Sequence, residues 1–259
     1  MPKCRLCGRN RKLIKAHIIP EAFFREARGN AKKPRLIFDD PNTYPKQSLI
    51  GVYDQEILCE QCESKFQHLD DYGVQVLLTQ FQELFLPVTY GDRVVYQATD
   101  INHNLLLRFF VATLWRASVS TQMFYKDVNL GHLESLAKRT VLTQDSPMPQ
   151  HFSAILSRWV TDKDTAFATR ALLNPYPSTI YGINAYRFYF GQVVADIKAD
   201  KRPLPDILRP VMILQSTVIL VDRELSRSKD FVAMVLTTEQ SRKYEESRKS
   251  MKNSSKKNN

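Results

Sequence analysis

The sequence lacks the long apolar runs that mark membrane and secreted proteins. No stretch of about eighteen apolar residues occurs, so the chain is not expected to span a membrane. The basic residues near the N-terminus are not followed by an apolar stretch, as they would be in a signal peptide. These absences together predict a cytoplasmic location.

Signatures of several enzyme classes are also missing. The chain has only eight glycines and no Gly-rich phosphate loop. It has neither the nucleophile elbow of α/β-hydrolases nor the paired histidines of zinc proteases. The sequence therefore does not predict those classes of active site.

Cysteine is scarce, but its placement is informative. The 259 residues contain four cysteines, which form two Cys-x-x-Cys pairs at Cys4/Cys7 and Cys59/Cys62. Two such turns can present four thiolates to one tetrahedral ion and leave no open position. In a cytoplasmic protein this pattern is more typical of a structural zinc site than of disulfides. Two disulfides or four unrelated thiols are the alternatives.

The net charge of +10 is concentrated at the two ends of the chain. Residues 1–35 carry +9 and residues 241–259 carry +5, whereas the 205 residues between them carry −4. Basic ends are typical of proteins that bind polyanions such as nucleic acid. A solubilising role of the same charges is the simpler alternative.

The hydrophobic pattern predicts an α+β fold. A small zinc-stapled, ββα-like N-terminal module should precede a body that contains helices and a β-sheet. Apolar residues at helical spacing predict helices near 20–28, over 66–86, 104–118 and 129–139, and around 229–248. Runs of β-branched and aromatic residues predict strands at 153–160, 184–198 and 211–222.

Three regions follow from this pattern. They are the zinc-stapled module at 1–75, an α+β body at 76–240 and a basic tail at 241–259, which has no apolar residue after Met251 and is expected to be disordered. A Pro/Asn-rich loop at 39–48 lies within the module. In the body, the aromatic residues over 186–190 predict a half-buried strand, and a base-stacking surface is the alternative.

The first 75 residues resemble a known nuclease family. A Cys-x-x-Cys-Gly turn, a histidine in the segment His17-Ile18-Ile19-Pro20 and a second Cys-x-x-Cys that opens a helix occur in this order. This arrangement is similar to that of the HNH endonucleases of the His-Me finger, or ββα-metal, superfamily, in their zinc-stapled branch. The resemblance implies hydrolysis of phosphodiester bonds in nucleic acid, with DNA as the expected partner.

The resemblance also implies roles for individual residues. His17 would be the general base that activates water, and the four cysteines would hold a structural zinc ion. A second divalent ion, Mg²⁺ or Mn²⁺, would bind the scissile phosphate. The chemistry of imidazole suits the role of His17, because a neutral imidazole near pH 7 can take a proton from water. Arg11, Lys12 and Lys15 are close enough in sequence to hold a backbone phosphate.

The chain departs from the family at two positions next to these motifs. Ala16 precedes His17 where the family usually has an acidic metal ligand, and Glu63 follows the last cysteine where it usually has asparagine. A carboxylate suits magnesium better than an amide, so Glu63 is a candidate catalytic and metal-binding residue. Further acidic or amide side chains lie nearby at Asp54, Gln67, Asp70 and Asp71.

Two other classes of function remain open from the sequence. The chain can be a zinc-stapled module that binds nucleic acid without cutting it, since Ala16 removes one expected metal ligand. It can also be a protein-interaction scaffold in which the cysteine site is purely architectural. The three hypotheses differ in whether the protein cleaves nucleic acid and whether it binds it at moderate salt.

Overall fold

The computed structural model of the protein describes residues 1–28, 35–37, 46–47, 51–143, 150–160, 172–224, 228–232 and 234–235. The predicted tail at 241–259 lies outside the described residues, as does most of the loop at 39–48. Of the helix predicted around 229–248, residues 229–232 and 234–235 are described, and they are helical.

The N-terminal region consists of short elements. They are β1 (Ala16–His17), α1 (Glu21–Arg28), β2 (Arg35–Ile37), β3 (Lys46–Gln47), β4 (Tyr53–Asp54), α2 (Glu60–Glu63) and α3 (Gln67–Val74). Strands β1 and β4 pair antiparallel, and α2 follows them closely. The chain therefore forms two paired short strands followed by a helix beside the second cysteine pair.

The helix predicted over 66–86 forms in segments. Helix α3 is followed by a π-helical turn at Gln75–Thr79 and by α4 (Phe81–Leu84). The three segments together cover most of the predicted range. The π-helical turn interrupts the regular α-helical spacing between α3 and α4.

The central helix α5 (His103–Val119) explains the apolar run that the sequence shows there. The side chain of Asn102 caps it by accepting a hydrogen bond from the Leu105 N–H at 3.0 Å. Every residue from Leu106 to Ala117 is buried, so the helix is surrounded by protein on all sides. Helix α6 (Glu134–Leu142) packs beside it after a short 3₁₀ turn at Gly131–Leu133.

Within the described residues the body contains one seven-stranded sheet. Its strands are β5 (Leu86–Tyr90), β6 (Arg93–Ala98), β7 (Phe152–Val160), β9 (Tyr176–Ile180), β10 (Ile183–Phe190), β11 (Val193–Ala199) and β12 (Val218–Glu224). Their order is β5-β6-β12-β7-β11-β10-β9, and only the β12–β7 pairing is parallel. A smaller sheet joins β3 and β2 to β8 (Leu172–Leu173).

Two of the predicted strands have different bounds in the structure. The segment 184–198 is a hairpin of β10 and β11, because Gly191 adopts a positive φ of 66° at the turn between them. The segment 211–222 begins at the end of a 3₁₀ turn, Asp206–Val211, and only its last residues belong to β12. The sequence prediction missed the hairpin of β5 and β6 altogether.

The aromatic residues of β10 belong to the core. Phe188 and Phe190 are fully buried. The ring of Phe190 lies against those of Phe23, Phe109 and Phe110, with centroid distances of 5.2 to 5.5 Å. The base-stacking alternative is therefore wrong for these two side chains.

The N-terminal region and the body share one hydrophobic core. The largest cluster of buried residues runs from Cys4 and Leu6 through helix α5 to Leu220 in β12. Close contact between α3 and α5 depends on Gly73, where a Cβ atom would come within 2.6 Å of the Phe109 ring. Helix α5 is thus packed against the region that holds the cysteines and against the large sheet.

The described residues form an α+β protein, as the sequence predicts. Among them we find no helix that is both long enough and apolar enough to cross a membrane.

Candidate functional site

The four cysteines come together as the sequence predicts. One sulfur atom from each of Cys4, Cys7, Cys59 and Cys62 lies within 4.8 Å of the others. None of them is in a disulfide; Cys4, Cys59 and Cys62 are buried, and Cys7 is exposed. Four thiols at this separation could bind one metal ion.

Main-chain hydrogen bonds shape the two cysteine turns. In the first, the N–H of Gly8 donates to the carbonyl of Cys4 at 2.9 Å, and Gly8 adopts a φ of +71° that favours glycine. In the second, the N–H groups of Cys62 and Glu63 both donate to the carbonyl of Cys59 at 2.9 Å. The N–H of Cys59 also points to the sulfur of Cys4 at 3.5 Å, which links the two turns.

The surroundings act differently on the thiols. Burial by itself raises the pKa of Cys4, but backbone N–H groups of Cys7, Cys59 and Leu6 stabilise its thiolate and bring the pKa to about 7. Burial raises the pKa of Cys62, and its hydrogen bonds to the other cysteines raise it further. Four thiolates can therefore coexist here only with a cation to offset their charge.

The antiparallel pair of β1 and β4, which are far apart in sequence, carries His17 on its less buried face. Ala16 lies opposite Asp54, and both are buried, whereas His17 lies opposite Tyr53 and both are half-buried. The ring centroids of His17 and Tyr53 are 5.9 Å apart in an edge-on contact. The ammonium of Lys15 lies 4.8 Å from the centre of the Tyr53 ring. Lys15, Tyr53 and His17 therefore share one face.

Glu63 lies at the end of α2, immediately after Cys62, and faces the strand of His17. The main-chain N–H of His17 donates a hydrogen bond to its carboxylate. Burial raises the pKa of Glu63 to about 7, an effect that the positive charge of Arg116 opposes and the negative charge of Asp70 reinforces. Its Oε2 atom is buried and has no hydrogen-bond partner among the described residues.

Arg116 of helix α5 reaches this site from the body. Its guanidinium donates to both oxygens of Asp70, at 2.8 and 2.6 Å, and to the carbonyl of His17 at 2.8 Å. The Arg116 side chain is fully buried, and its guanidinium lies 4.6 Å from the centre of the Phe66 ring. One residue therefore ties together β1, α3 and α5.

The other acidic candidates have different surroundings. Asp54 is fully buried and accepts hydrogen bonds from the Glu56 N–H, the Ser120 hydroxyl, and the N–H and hydroxyl of Thr121, at 2.6 to 3.0 Å. This carboxylate joins β4 to the end of α5. Asp71 and Gln67 are exposed on α3.

The three basic candidates lie on the same stretch of chain but in different settings. Lys12 and Lys15 are exposed, and Arg11 is half-buried. The guanidinium of Arg11 donates to the side-chain carbonyl of Gln61 in α2. Arg11 thereby contacts the turn of the second cysteine pair, whereas Lys15 lies beside Tyr53.

A second divalent ion fits the described residues poorly. Apart from the four cysteines, no group of three or more histidine, cysteine, aspartate or glutamate ligands comes together in the described part of the chain. Arg116 donates hydrogen bonds to both oxygens of Asp70. Of the two carboxylate oxygens of Glu63, Oε2 has no hydrogen-bond partner among the described residues.

Sequence reasoning missed Arg116 and Tyr53. Arg116 lies 99 positions after His17, and no motif links them. The available signal was a charged residue inside an otherwise apolar helix, since a buried guanidinium requires an acidic partner. Tyr53 carried a weaker signal, its place next to Asp54 ahead of the second cysteine pair.

The candidate site consists of the four-cysteine centre, the β1–β4 strand pair that carries His17, and the buried Arg116. Comparison of the chain with protein-family models, with curated proteins and with solved structures found no match.

Proposed function

We propose that this chain is an HNH-type endonuclease that hydrolyses phosphodiester bonds of DNA with His17 as the general base. The observation that carries the proposal is the less buried face of the β1–β4 strand pair. There His17, Tyr53 and Lys15 lie side by side next to the cysteine centre. The short antiparallel pair followed by α2 is consistent with the ββα arrangement that the sequence resemblance implies.

The metal at the four cysteines is proposed to be zinc. An all-sulfur set of four ligands suits tetrahedral zinc, and the spacing of two Cys-x-x-Cys pairs is typical of structural zinc sites. Such an ion would fix the turn at Cys4–Gly8 against the start of α2. The ion would have no open coordination position, so its role would be to hold the β1–β4 strand pair and α2 in place.

In this proposal residues on and next to the β1–β4 strand pair perform the hydrolysis. The His17 imidazole would take the proton from a water molecule as that water attacks phosphorus. The P–O bond on the opposite side would break, and the leaving alkoxide would take a proton from solvent. Lys15 and Lys12, both exposed, would offset the negative charge of the phosphate, with Arg11 beside them. Tyr53 contacts the His17 ring edge-on and would limit its rotation.

Cleavage of plasmid DNA by the zinc-loaded protein tests the proposal. His17→Ala is expected to reduce the rate of nicking by about 100-fold or more, since a general base contributes roughly that factor. His68→Ala is a matched control, because His68 is exposed on α3, outside the β1–β4 strand pair. This variant should nick DNA at the rate of the unmodified protein. The reactions are run in Mg²⁺, in Mn²⁺ and in EDTA, which also tests the metal dependence that the resemblance implies.

Zinc content and thermal unfolding of both variants must match those of the unmodified protein, so that a loss of cutting reports on chemistry. Equal cutting by His17→Ala and the unmodified protein would rule out the proposed role of His17. Absence of cutting by every protein in all three conditions would count against the endonuclease itself.

A second candidate function is binding of nucleic acid without cleavage. The observation that favours it is the pairing of Asp70 with Arg116, together with Ala16 in place of an acidic side chain. This candidate predicts affinity that falls steeply with salt. Lys12→Ala combined with Lys15→Ala should weaken binding, whereas His17→Ala should leave it nearly unchanged. No binding at moderate salt would leave the scaffold hypothesis.

A further inference from the structure

Arg116 is a fully buried positive charge near the candidate site. Its side chain has no exposed surface, although it carries a full positive charge. Three acceptor oxygens surround the guanidinium: the two carboxylate oxygens of Asp70 and the carbonyl of His17. Phe66 covers it on one side. A cation with several oxygen acceptors and no access to solvent resembles a bound ion in its setting.

The charges around Arg116 belong to two acidic residues. Asp70 forms an ion pair with it at 2.6 Å, and Glu63 interacts electrostatically with the guanidinium. The carbonyl of His17 and the N–H of the same residue link Arg116 and Glu63 to one strand. The cation, the two carboxylates and the histidine strand thus form one connected cluster.

We infer that the guanidinium of Arg116 serves as the built-in cation of this site, so that the chain binds no divalent ion at Glu63 and Asp70. The inference concerns the same site as the proposed function, but it predicts that the site binds no divalent ion and says nothing about cleavage. Its failure and the failure of the endonuclease proposal are therefore distinguishable.

The geometry explains why a divalent ion is excluded. Magnesium and manganese prefer octahedral sets of oxygen ligands, of which one or two carboxylates are usual. Arg116 already donates to both oxygens of Asp70, so a divalent ion there would share them with a buried positive charge, and an ion at Glu63 would lie near the same charge. Two cations beside the same carboxylates repel each other strongly in a buried site.

The built-in cation also places the histidine strand. By donating to the carbonyl of His17, Arg116 joins β1 to Asp70 on α3. The methyl side chain of Ala16, the neighbour of His17, cannot ligate an ion, so β1 has no acidic side chain of its own at this point. The site thus holds its strand by a side chain from the body.

Manganese binding to the full-length, zinc-loaded protein tests the inference directly. The signal of free Mn²⁺ in electron paramagnetic resonance reports how much ion each protein binds. The unmodified protein and Glu63→Gln should give the same binding curve. Arg116→Gln, which removes the charge, should gain one Mn²⁺ site, and the double variant Arg116→Gln with Glu63→Gln should lose it again.

Arg108→Gln is the matched control for loss of a buried arginine. Arg108 lies on the same helix and donates to the carbonyl of Thr143 at 3.0 Å, so its removal should create no Mn²⁺ site. Folding of each variant is checked by zinc content and cooperative unfolding. If Arg116→Gln does not fold, the comparison of the unmodified protein with Glu63→Gln decides.

Two results would overturn the inference. One is an Mn²⁺ site in the unmodified protein that disappears in Glu63→Gln. The other is a folded Arg116→Gln that binds no more Mn²⁺ than the unmodified protein does. Equal curves for the unmodified protein and Glu63→Gln, with a new site in folded Arg116→Gln, support it.

Discussion

Lys198 in β11 is a charged residue in an unusual place, because its side chain has no exposed surface. Its ammonium donates to the main-chain carbonyls of Gln150, His151 and Asp200. Burial nevertheless lowers its pKa to about 8 from an ordinary value of 10.5, against the opposing effect of the Asp200 charge. The unfolded chain therefore holds this proton more tightly than the folded protein does.

This shift predicts a pH dependence of stability. Between pH 8 and 10.5 the unfolded state binds more protons at Lys198, so the free energy of unfolding should rise with pH across this window. The stabilisation is fully present above pH 10.5 and is lost as the pH falls to 8. Its size should be roughly 3 kcal/mol or less.

Urea unfolding at several pH values, compared with Lys198→Met, measures this contribution. The difference between the two proteins should change across the window, whereas Lys201→Met, at an exposed position, should run parallel to the unmodified protein. A difference that stays constant from pH 8 to 10.5 would show that the pKa of Lys198 is not lowered.

The residues of the candidate site differ in how well they could be predicted from the sequence. The cysteines could be predicted because their spacing repeats and they have no competitors in the chain. Arg116 could not, since its role depends on the way α5 crosses α3, which no local pattern specifies. Asp54 lies near the candidate residues in sequence, yet its carboxylate accepts hydrogen bonds from Ser120 and Thr121, 66 and 67 positions further along the chain.

At the scale of elements, α3 and α5 pack so closely at Gly73 that there is no room for a side chain there. A Cβ atom on Gly73 would meet the Phe109 ring at 2.6 Å, and Gly73 is buried. Since Phe109 is itself packed against Phe23 and Phe190, it has little room to move. Helix α3 carries Asp70, so its distance from α5 also sets the Asp70–Arg116 pair.

Gly73→Val is therefore expected to destabilise the protein by about 2 kcal/mol or more, as overpacking of a core does. Chemical unfolding measures the loss, and Asp71→Val, on the exposed side of the same helix, is the control that should change stability by about 0.5 kcal/mol or less. If Gly73→Val is as stable as the unmodified protein, the two helices are further apart than described.

Elements differed in how well they could be predicted. Helix α5 was evident because twelve consecutive residues, from Leu106 to Ala117, are buried and the sequence is correspondingly apolar. The β5–β6 hairpin was missed because its strands are mostly exposed and lack a continuous apolar pattern. The junction of β10 and β11 was missed because a single glycine turns the chain there.

At the scale of the whole molecule, the cysteine centre and the body depend on one core. Buried residues next to the cysteines, such as Leu6 and Phe66, belong to the same cluster as the sheet, and Phe66 stacks on Trp115 with centroids 6.0 Å apart. The α+β class and the cysteine centre followed from the sequence. The joining of the two regions through α5 did not, because it is a property of packing between distant segments.

Removal of the proposed zinc should therefore affect the whole protein. A strong chelator is expected to release one equivalent of zinc and to lower the free energy of unfolding by several kcal/mol, because metal binding to such sites is coupled to folding. Cys7→Ser should have the same effect although Cys7 is exposed, because it supplies one of the four sulfur atoms.

Zinc release is followed with a chromogenic indicator, and unfolding with circular dichroism. Ser64→Ala, an exposed change two residues after the last cysteine, should keep both the zinc and the stability. A protein that keeps its unfolding midpoint after complete loss of metal would show that the cysteine turns are held by packing alone.

The ion pair of Arg116 and Asp70 has a consequence for the inheritance of this fold. The guanidinium on α5 is fully buried and pairs with a half-buried carboxylate on α3, 46 positions away, so loss of Asp70 alone would leave Arg116 without this partner in the interior. Lineages that descend from this chain should keep both residues or replace both. A descendant that replaces both with apolar residues would keep Glu63 as the single carboxylate of this cluster, which is too few ligands to hold a divalent ion.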